Sequence, residues 1–304
     1  MIKSFTIRNQ NGEEIVLDLR NPYENGIAIK SVTGIGPERA SINYTESATL
    51  DGGVYNSARR TVRNIVFNLI FVETYTGDSI ETVRQRTYRY FQLKKPITIF
   101  VETDNHRLQI SGYVEYNQPE IFSRQETTQI SVLCPDPYFY SGDGEISTVF
   151  SNVTPLFEFP FSNPVSTRSL LFGNIELSTH KDLVYDGSAD SGMQIEIQAN
   201  GAATNIRVYN MYDETSFLLD TSIVASLTGQ AFGTGDVFVV STFPGKKFVH
   251  LIRNGLTTNM IAALSRNSTW LQLYPGVNPI YYTAETGQAN LEFTIKYTPK
   301  YEGV

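Results

Sequence analysis

Few side chains in this sequence are of the kinds that carry covalent or metal chemistry, and they are widely spaced. The three histidines are His106, His180 and His250. They are too scattered for a local ligand pair such as H-E-x-x-H, so each reads as a surface or turn residue. Cys134 is the one cysteine. It leaves no intrachain disulfide and no multi-cysteine zinc site. It sits on an apolar stretch before a proline, where a buried, inert thiol is the expectation. No G-x-S-x-G elbow presents a serine nucleophile. A glycoside hydrolase needs two facing carboxylates, and Asp213, Glu214, Glu285 and Glu292 are candidates. Any β protein of similar acidic content offers as many pairs, so no catalytic residue is expected, nor any cofactor or metal. Tyr209, Tyr212, Trp270, Tyr274, Tyr281 and Tyr282 could form a sugar-stacking platform, with Trp270, Tyr274 and Tyr281 as its contacts. Core packing and burial at sheet edges would account for the same residues.

The elements that must position these groups are bounded by bulk composition. A chain of 304 residues predicts two domains. Its net charge of −7 argues against a sequence-specific nucleic-acid binder, which carries a basic footprint. Residues 1–150 hold eleven of the fifteen arginines. Arginine suits planar ion pairs at interfaces, so the first half is the expected assembly domain. No apolar run reaches the roughly 18 residues that span a bilayer, and the N-terminus lacks a signal-peptide core. A soluble protein made in a cytoplasm is expected, without membrane insertion.

The sharpest division in the chain is Thr128 to Ser141. Gln129 to Cys134 reads as a strand, and Pro135-Asp136-Pro137 stops it, because each proline lacks an amide donor and restricts its predecessor. Tyr138, Phe139 and Tyr140 follow, before a Ser-Gly-Asp-Gly turn. This predicts domains at 1–141 and 154–304 with a linker at 142–153. Cys134 to Tyr140 form the junction, with the aromatic trio packed beneath it.

Within the first domain, Asn11-Gly12 joins a hairpin. Ala40 to Leu50 and Arg60 to Val72 read as two long strands around a Gly-rich tip at Asp51 to Ser57, an extended hairpin projecting beyond the core. Projecting ribbons are marginal in water, so a neighbouring subunit is expected to support it. Asp78 to Lys94 reads as the one convincing helix, capped by Asp78 with Glu81 in a capping box and ended by Pro96. Its apolar stripe is Ile80, Val83, Thr87, Tyr90 and Phe91. Strands follow at Ile97 to Thr103, Arg107 to Tyr116 and Ile121 to Cys134. The fold class is mainly β, with an α+β first domain. Tyr55, Arg59, Arg60, Arg63, Arg86 and Arg89 are the candidate contacts of a ring or tube interface, although Arg60 and Arg63 read equally well as solvated strand residues. After Gly144 charge falls and short strands recur, among them Met193 to Ala199, Thr204 to Asn210, Val237 to Ser241 and Thr269 to Tyr274. Asn254-Gly255 is a hairpin signal, and the series implies a β-sandwich of jelly-roll type.

Several of these features, taken in order, resemble one family. They are the opening strand pair, the Ile35-Gly36-Pro37 break, the Asp51-Gly52-Gly53 tip before the arginine-led strand from Arg60, and the helix before Pro96. The Cys134-Pro135-Asp136-Pro137-Tyr138 corner, the Tyr274-Pro275-Gly276-Val277-Asn278 turn and the ending YTPKYEGV complete the set. Together the chain resembles the distal tail proteins of tailed bacteriophages, typified by long non-contractile tails of Gram-positive hosts. Related subunits occur in contractile tails and tail-like bacteriocins. The resemblance implies a tail-tube-like β-sandwich with one packed helix and a long hairpin, followed by a galectin-like or jelly-roll sandwich. It implies a homo-hexameric ring at the tail tip of a virion, assembled in the host bacterial cytoplasm. The ring would meet the tail tube protein on one face and a tail-associated tip protein on the other. Phage DNA would pass through its channel without specific binding, and receptor-binding or baseplate proteins would attach outside. The alternative reading is a carbohydrate-binding adhesin of the tail tip.

Overall fold

Alternating apolar and polar residues dominate both halves of the chain, and strands follow from that period of two. The computed structural model describes residues 1–46, 51–155, 173–177 and 179–304, the backbone alone at 151–155 and 173–177. Two units emerge, Met1–Gly144 with Lys300–Val304, and Glu145–Pro299.

The first unit runs β1 (Ile2–Asn9), β2 (Glu14–Asp18), β3 (Ile27–Thr33), β4 (Ala40–Glu46), β5 (Gly53–Arg60), β6 (Arg63–Phe71), α1 (Ile80–Tyr90), β7 (Pro96–Thr103), β8 (Arg107–Glu120), β9 (Thr127–Cys134) and β10 (Phe139–Ser141). Its main sheet has the order β2-β1-β7-β8-β9-β6-β3. Every pairing along it is antiparallel. Strand β6 shows why one face is core. Ile65, Phe67, Leu69 and Phe71 alternate inward and are all buried. They meet Ile130 and Val132 of β9, with Phe5 edge-on to Phe67 at 5.5 Å. Helix α1 lays Val83 and Thr87 on this core, with Phe91 just past its end. A second, two-stranded sheet pairs β4 with β5 alone.

Three expectations for this unit change. The hairpin partner of Ala40–Glu46 is Gly53–Arg60, and Arg63–Phe71 is a separate core strand. The chain breaks at Thr61-Val62, where the exposed ribbon ends and the inward alternation of β6 begins; the tail of the predicted first strand, 47–50, lies outside the described residues. Ser79 caps the helix in place of Asp78, its hydroxyl accepting from the Thr82 amide at 3.3 Å. Strand β8 continues through Pro119 to Glu120, so Ile121 and Phe122 belong to the turn that follows. A register shift between Val114 and Tyr116 lets this long strand bend, as bulges do.

The second unit begins at β11 (Ile146–Val149), inside the stretch read as linker, and that strand pairs along a core strand. The order continues with β12 (Ser151–Pro155), β13 (Gly173–Leu177), β14 (His180–Tyr185), β15 (Gln194–Ala199), β16 (Thr204–Asn210), β17 (Thr215–Leu219), α2 (Ser222–Thr228), β18 (Val237–Ser241), β19 (Phe248–Arg253), β20 (Leu256–Asn259), β21 (Gly276–Thr286) and β22 (Leu291–Tyr297). Sheet β11-β22-β15-β18-β19-β20 and sheet β14-β21-β16-β17 share one core, which includes Ile195, Ile206, Phe238, Tyr282 and Phe293. Thr269 to Tyr274 is not a strand. It makes one bridge, Ser191 to Leu273.

The last strand, β23 (Lys300–Tyr301), pairs with β10 and so belongs to the first unit, although the sequence places the whole ending in the second. Close to it lies the Gly34 turn. Gly34 has φ +81°, and a Cβ there would stand 2.0 Å from the Asn64 carbonyl oxygen. The left-handed conformation alone costs other residues about 1–2 kcal/mol, and the collision is with backbone. Gly34→Ala is therefore expected to destabilise the first unit by at least about 2 kcal/mol, measured by urea unfolding. An unchanged midpoint would refute this account of the turn.

Candidate assembly site

Arg63 opens β6 in phase with Ile65 and Phe67, so its side chain points inward, and it is 0 % exposed. A buried guanidinium must find acceptors for its fixed fork of donors. Here they are backbone carbonyls. Nε donates to Pro137 at 2.6 Å. Nη1 donates to Gly34 and Gly36, both at 2.5 Å. Nη2 donates to Glu302 at 2.7 Å. The guanidinium carbon also lies 4.8 Å from the centre of the buried Phe139 ring. Burial pulls the Arg63 pKa down, and the field of Glu38 opposes that shift. Arg63 is thus a clamp inside one chain and no ring contact, contrary to the expectation from sequence. It joins the Gly34–Gly36 break, the Pro137 corner and the C-terminal residues, three stretches far apart in sequence.

The corner is dressed around this clamp. Asp136 accepts from the Tyr138 amide at 3.2 Å and the Tyr140 hydroxyl at 2.7 Å. Phe139 is buried, while Tyr138 and Tyr140 are half-buried and Pro135 is exposed. The aromatic trio therefore divides, with only Phe139 entering the core. Tyr138 receives cations instead. Lys300 Nζ stands 3.7 Å and the Arg60 guanidinium 5.2 Å from its ring centre, and Arg60 also pairs with Glu302. Cys134 is buried, and burial pushes its thiol up to about 12, so it stays protonated and unreactive.

The ribbon of β4 and β5 has the opposite character. Ile42, Tyr44, Val54 and Tyr55 are 57–64 % exposed, and Tyr44 faces Tyr55 across the strands. Arg59 is exposed near its base. Apolar side chains here gain nothing from this chain's own core.

The helix arginines are occupied within the chain. Arg84 pairs with Glu126 at 2.6 Å. Arg86 pairs with Asp78 at 2.8 Å and donates to the Asn25 carbonyl. Arg89 pairs with Glu13 across to β1's hairpin. Arg86 and Arg89, both candidate interface residues, therefore also brace the helix against its own unit. Arg86 draws the Asp78 carboxyl below its ordinary range. Arg89, aided by Asn9, draws Glu13 down to about 2.

The three residues proposed for sugar each contact different partners. Trp270 packs partly buried against the core, with Lys247 Nζ 5.5 Å from its ring. Tyr274 stacks on Tyr212 at 4.9 Å and donates to Asp213 at 2.9 Å. Burial and that carboxylate push the Tyr274 hydroxyl up to about 12. Tyr281 lies on the outer face of β21, stacked on His180 at 4.6 Å. Among the described residues, no group of three or more His, Cys, Asp or Glu side chains is placed to hold a metal ion.

The corner lies wholly within the first unit, ahead of the boundary at Gly144; the chain can now be compared with known proteins. Residues 186–301 match a family described as siphovirus-type tail component, C-terminal domain. The fold of the whole chain is similar to the crystal structure of Dit from phage SPP1, presented as a paradigm of the hub adsorption apparatus in phages infecting Gram-positive hosts. That match has a TM-score of 0.60 and 16 % identity, covering 98 % of this chain and 99 % of the other. At that identity the likeness is one of fold. A chain of the activated phage P2 baseplate with Ca aligns with a TM-score of 0.43 and 14 % identity over 97 % of this chain and 98 % of that one. No curated protein matches. The resemblance to bacteriophage distal tail proteins thus stands, by sequence over the second unit and by fold throughout.

Two outcomes follow from the clamp and the helix brace. Arg63→Met keeps the apolar stem but strands four carbonyl acceptors, and it should cost the first unit about 3 kcal/mol or more. Thermal unfolding of the variant measures this, and an unshifted transition would show the clamp to be dispensable. For Glu13, the folded pKa near 2 lies below the ordinary 4.5. Its contribution is complete above about 4.5 and disappears as pH falls through 2. The stability gap between the natural chain and Glu13→Gln should therefore be present at pH 7 and closed at pH 2, in denaturant titrations at low salt. A gap independent of pH would assign the effect to packing.

Proposed function

We propose that this chain is a structural subunit of a phage or phage-like tail tip. Six copies form a ring that joins the tail tube to the tip or baseplate and surrounds the path of the DNA. The first unit builds the ring, and the second offers its surface to receptor-binding or baseplate proteins. The subunit acts without catalysis or cofactor, in the virion, after assembly in the host cytoplasm. The tail-component match and the likeness in fold support this reading.

The observation that carries it is the β4–β5 ribbon. Among the described residues it is a two-stranded sheet with no third strand, and Ile42, Tyr44, Val54 and Tyr55 stand exposed among its polar residues. Such a ribbon is marginal alone, and a partner that covers Tyr44 and Tyr55 would stabilise it. A contact between this ribbon and a different patch on the next copy is heterologous, and heterologous contacts close into rings when the rotation permits. The net charge of −7 is compatible with a conduit for a polyanion, which basic walls would retain.

Electron microscopy of the purified protein with its tube and tip partners should show a six-fold ring with an open channel. A protein that stays monomeric in their presence would sink the reading. The double variant Tyr44→Ser with Tyr55→Ser should abolish rings while the unfolding midpoint shifts little, since exposed substitutions usually change stability by about 0.5 kcal/mol or less. Intact rings from that variant would remove the ribbon from the interface.

A further inference from the structure

The second unit has a groove of about 530 Å³ at one end of sheet β14-β21-β16-β17. Its walls come from the start of β16, the end of β21, helix α2 and the loop after that helix. They are lined mainly by Ala202, Ala203, Ala225, Ala231 and Phe232. Alanine offers a methyl group and no polar side-chain atom, so these walls suit an aliphatic chain. The loop is fixed in advance. Arg253 holds the buried Asp236 through Nε at 2.6 Å and Nη2 at 2.5 Å. The same guanidinium donates to the Thr228 hydroxyl and the Ala231 carbonyl, both at 3.0 Å. A wall already in place spares a ligand the cost of ordering it.

Two carboxylates stand in this groove. Asp220 and Glu285 both line it, and Asn205 lies between them on the middle strand of three. Thr204 pairs with Thr286 and Ile206 with Ala284, which brings Asn205 level with Glu285. Ile206 also pairs with Leu219, and Asp220 follows directly. Asn205 is left-handed, with φ +49°, a conformation that asparagine tolerates better than most residues. Its side-chain amide donates to Glu285 Oε2 and steadies that carboxylate. Asp220 Oδ1 accepts from the Ser222 amide at 2.9 Å and the Ser222 hydroxyl at 2.6 Å. Among the described residues, the other oxygen of each carboxylate has no donor, and neither Asp220 nor Glu285 forms an ion pair.

The side chain complementary to such a groove is a long aliphatic stem that ends in a cation. Arginine and lysine lay their stems along apolar surface and keep the charged head among polar groups. Arginine fits better, because its planar guanidinium presents donors on more than one edge and engages two carboxylates at once. We propose that this groove docks a partner protein of the tail tip through an arginine side chain, with Asp220 and Glu285 holding the guanidinium and the alanine walls its stem. The assignment gives the attachment role of the second unit a place and a chemistry, and it rests on that part of the proposed function. One chain holds the whole groove, so a failure of six-fold assembly leaves it standing.

The probes are acetylated, amidated pentapeptides with glycine on both sides of a central arginine, lysine, norleucine or glutamate, titrated into the full chain by NMR at low salt. The arginine peptide should bind with a Kd on the order of 1 mM, the lysine peptide more weakly, and the other two not measurably. Asp220→Asn and Glu285→Gln keep acceptors for Ser222 and Asn205, and each should weaken the arginine peptide by about threefold or more. Ala225→Leu should block the groove without changing its charge. Asp182→Asn, on strand β14, should leave binding unchanged, and melting curves should show all four variants folded. Binding of no peptide overturns the proposal. So does equal binding of the arginine and norleucine peptides, or equal binding by the natural chain and the two carboxamide variants. If Ca²⁺ displaces the peptide and Glu285→Gln weakens Ca²⁺ binding, the groove is a metal site and the proposal is wrong. Both carboxamide variants should form the same rings as the natural chain under the electron microscope; loss of rings would put the groove in the ring interface and overturn the docking assignment.

Discussion

One buried cation determines how the first unit closes. Arg63 has no carboxylate within its bonding shell. Its four hydrogen bonds go to carbonyls of Gly34, Gly36, Pro137 and Glu302. Carbonyl acceptors belong to the backbone, so the arrangement constrains where the chain runs more than which side chains it carries. The glycine turn and the proline corner are the conformations that aim three separate backbones at one guanidinium. Left uncompensated, a buried charge costs several kcal/mol. The surrounding loops are consequently ordered about Arg63, and not Arg63 about them.

The features that carried the family resemblance converge at this point. The Ile35-Gly36-Pro37 break, the Cys134 to Tyr138 corner and the C-terminal ending looked like separate marks along the sequence. In three dimensions they are the ligands and walls of a single site. Phe139 lies against the guanidinium, Tyr138 takes Lys300 and Arg60, and Glu302 pairs with Arg60 while offering its carbonyl to Arg63.

Strands with strict alternation were legible in sequence, as β6, β15 and β16 illustrate. The helix stripe was legible too, because Val83, Thr87 and Phe91 recur at helical spacing. The hairpin register was not, since both Arg60 to Val72 and Gly53 to Arg60 have strand-like composition and only tertiary pairing separates them. Arg63 was misread because arginine is seldom buried and its partners lie 27 to 239 residues away. A signal was nonetheless present: Arg63 is in phase with Ile65, Phe67 and Leu69, and a strict reading of period two turns it inward. The carboxylate partners of Arg86 and Arg89 were not legible either, because Asp78 and Glu13 meet them only once the helix has docked. Tyr281 lies on the outer face of its sheet. Its neighbours Tyr209 and His180 come from strands whose order the sequence does not disclose.

The return of Lys300–Val304 to the first unit has a consequence for the timing of synthesis. A ribosome that has just made Gly144 has produced neither β23 nor the Glu302 carbonyl, so the Arg63 clamp is one acceptor short and β10 lacks its β23 partner. All of Glu145–Pro299 must be translated first, which at bacterial elongation rates takes on the order of 10–30 s. The first unit is therefore completed after the second, although it begins first. Until then the edge of β10 that takes β23 stays unpaired on the nascent chain.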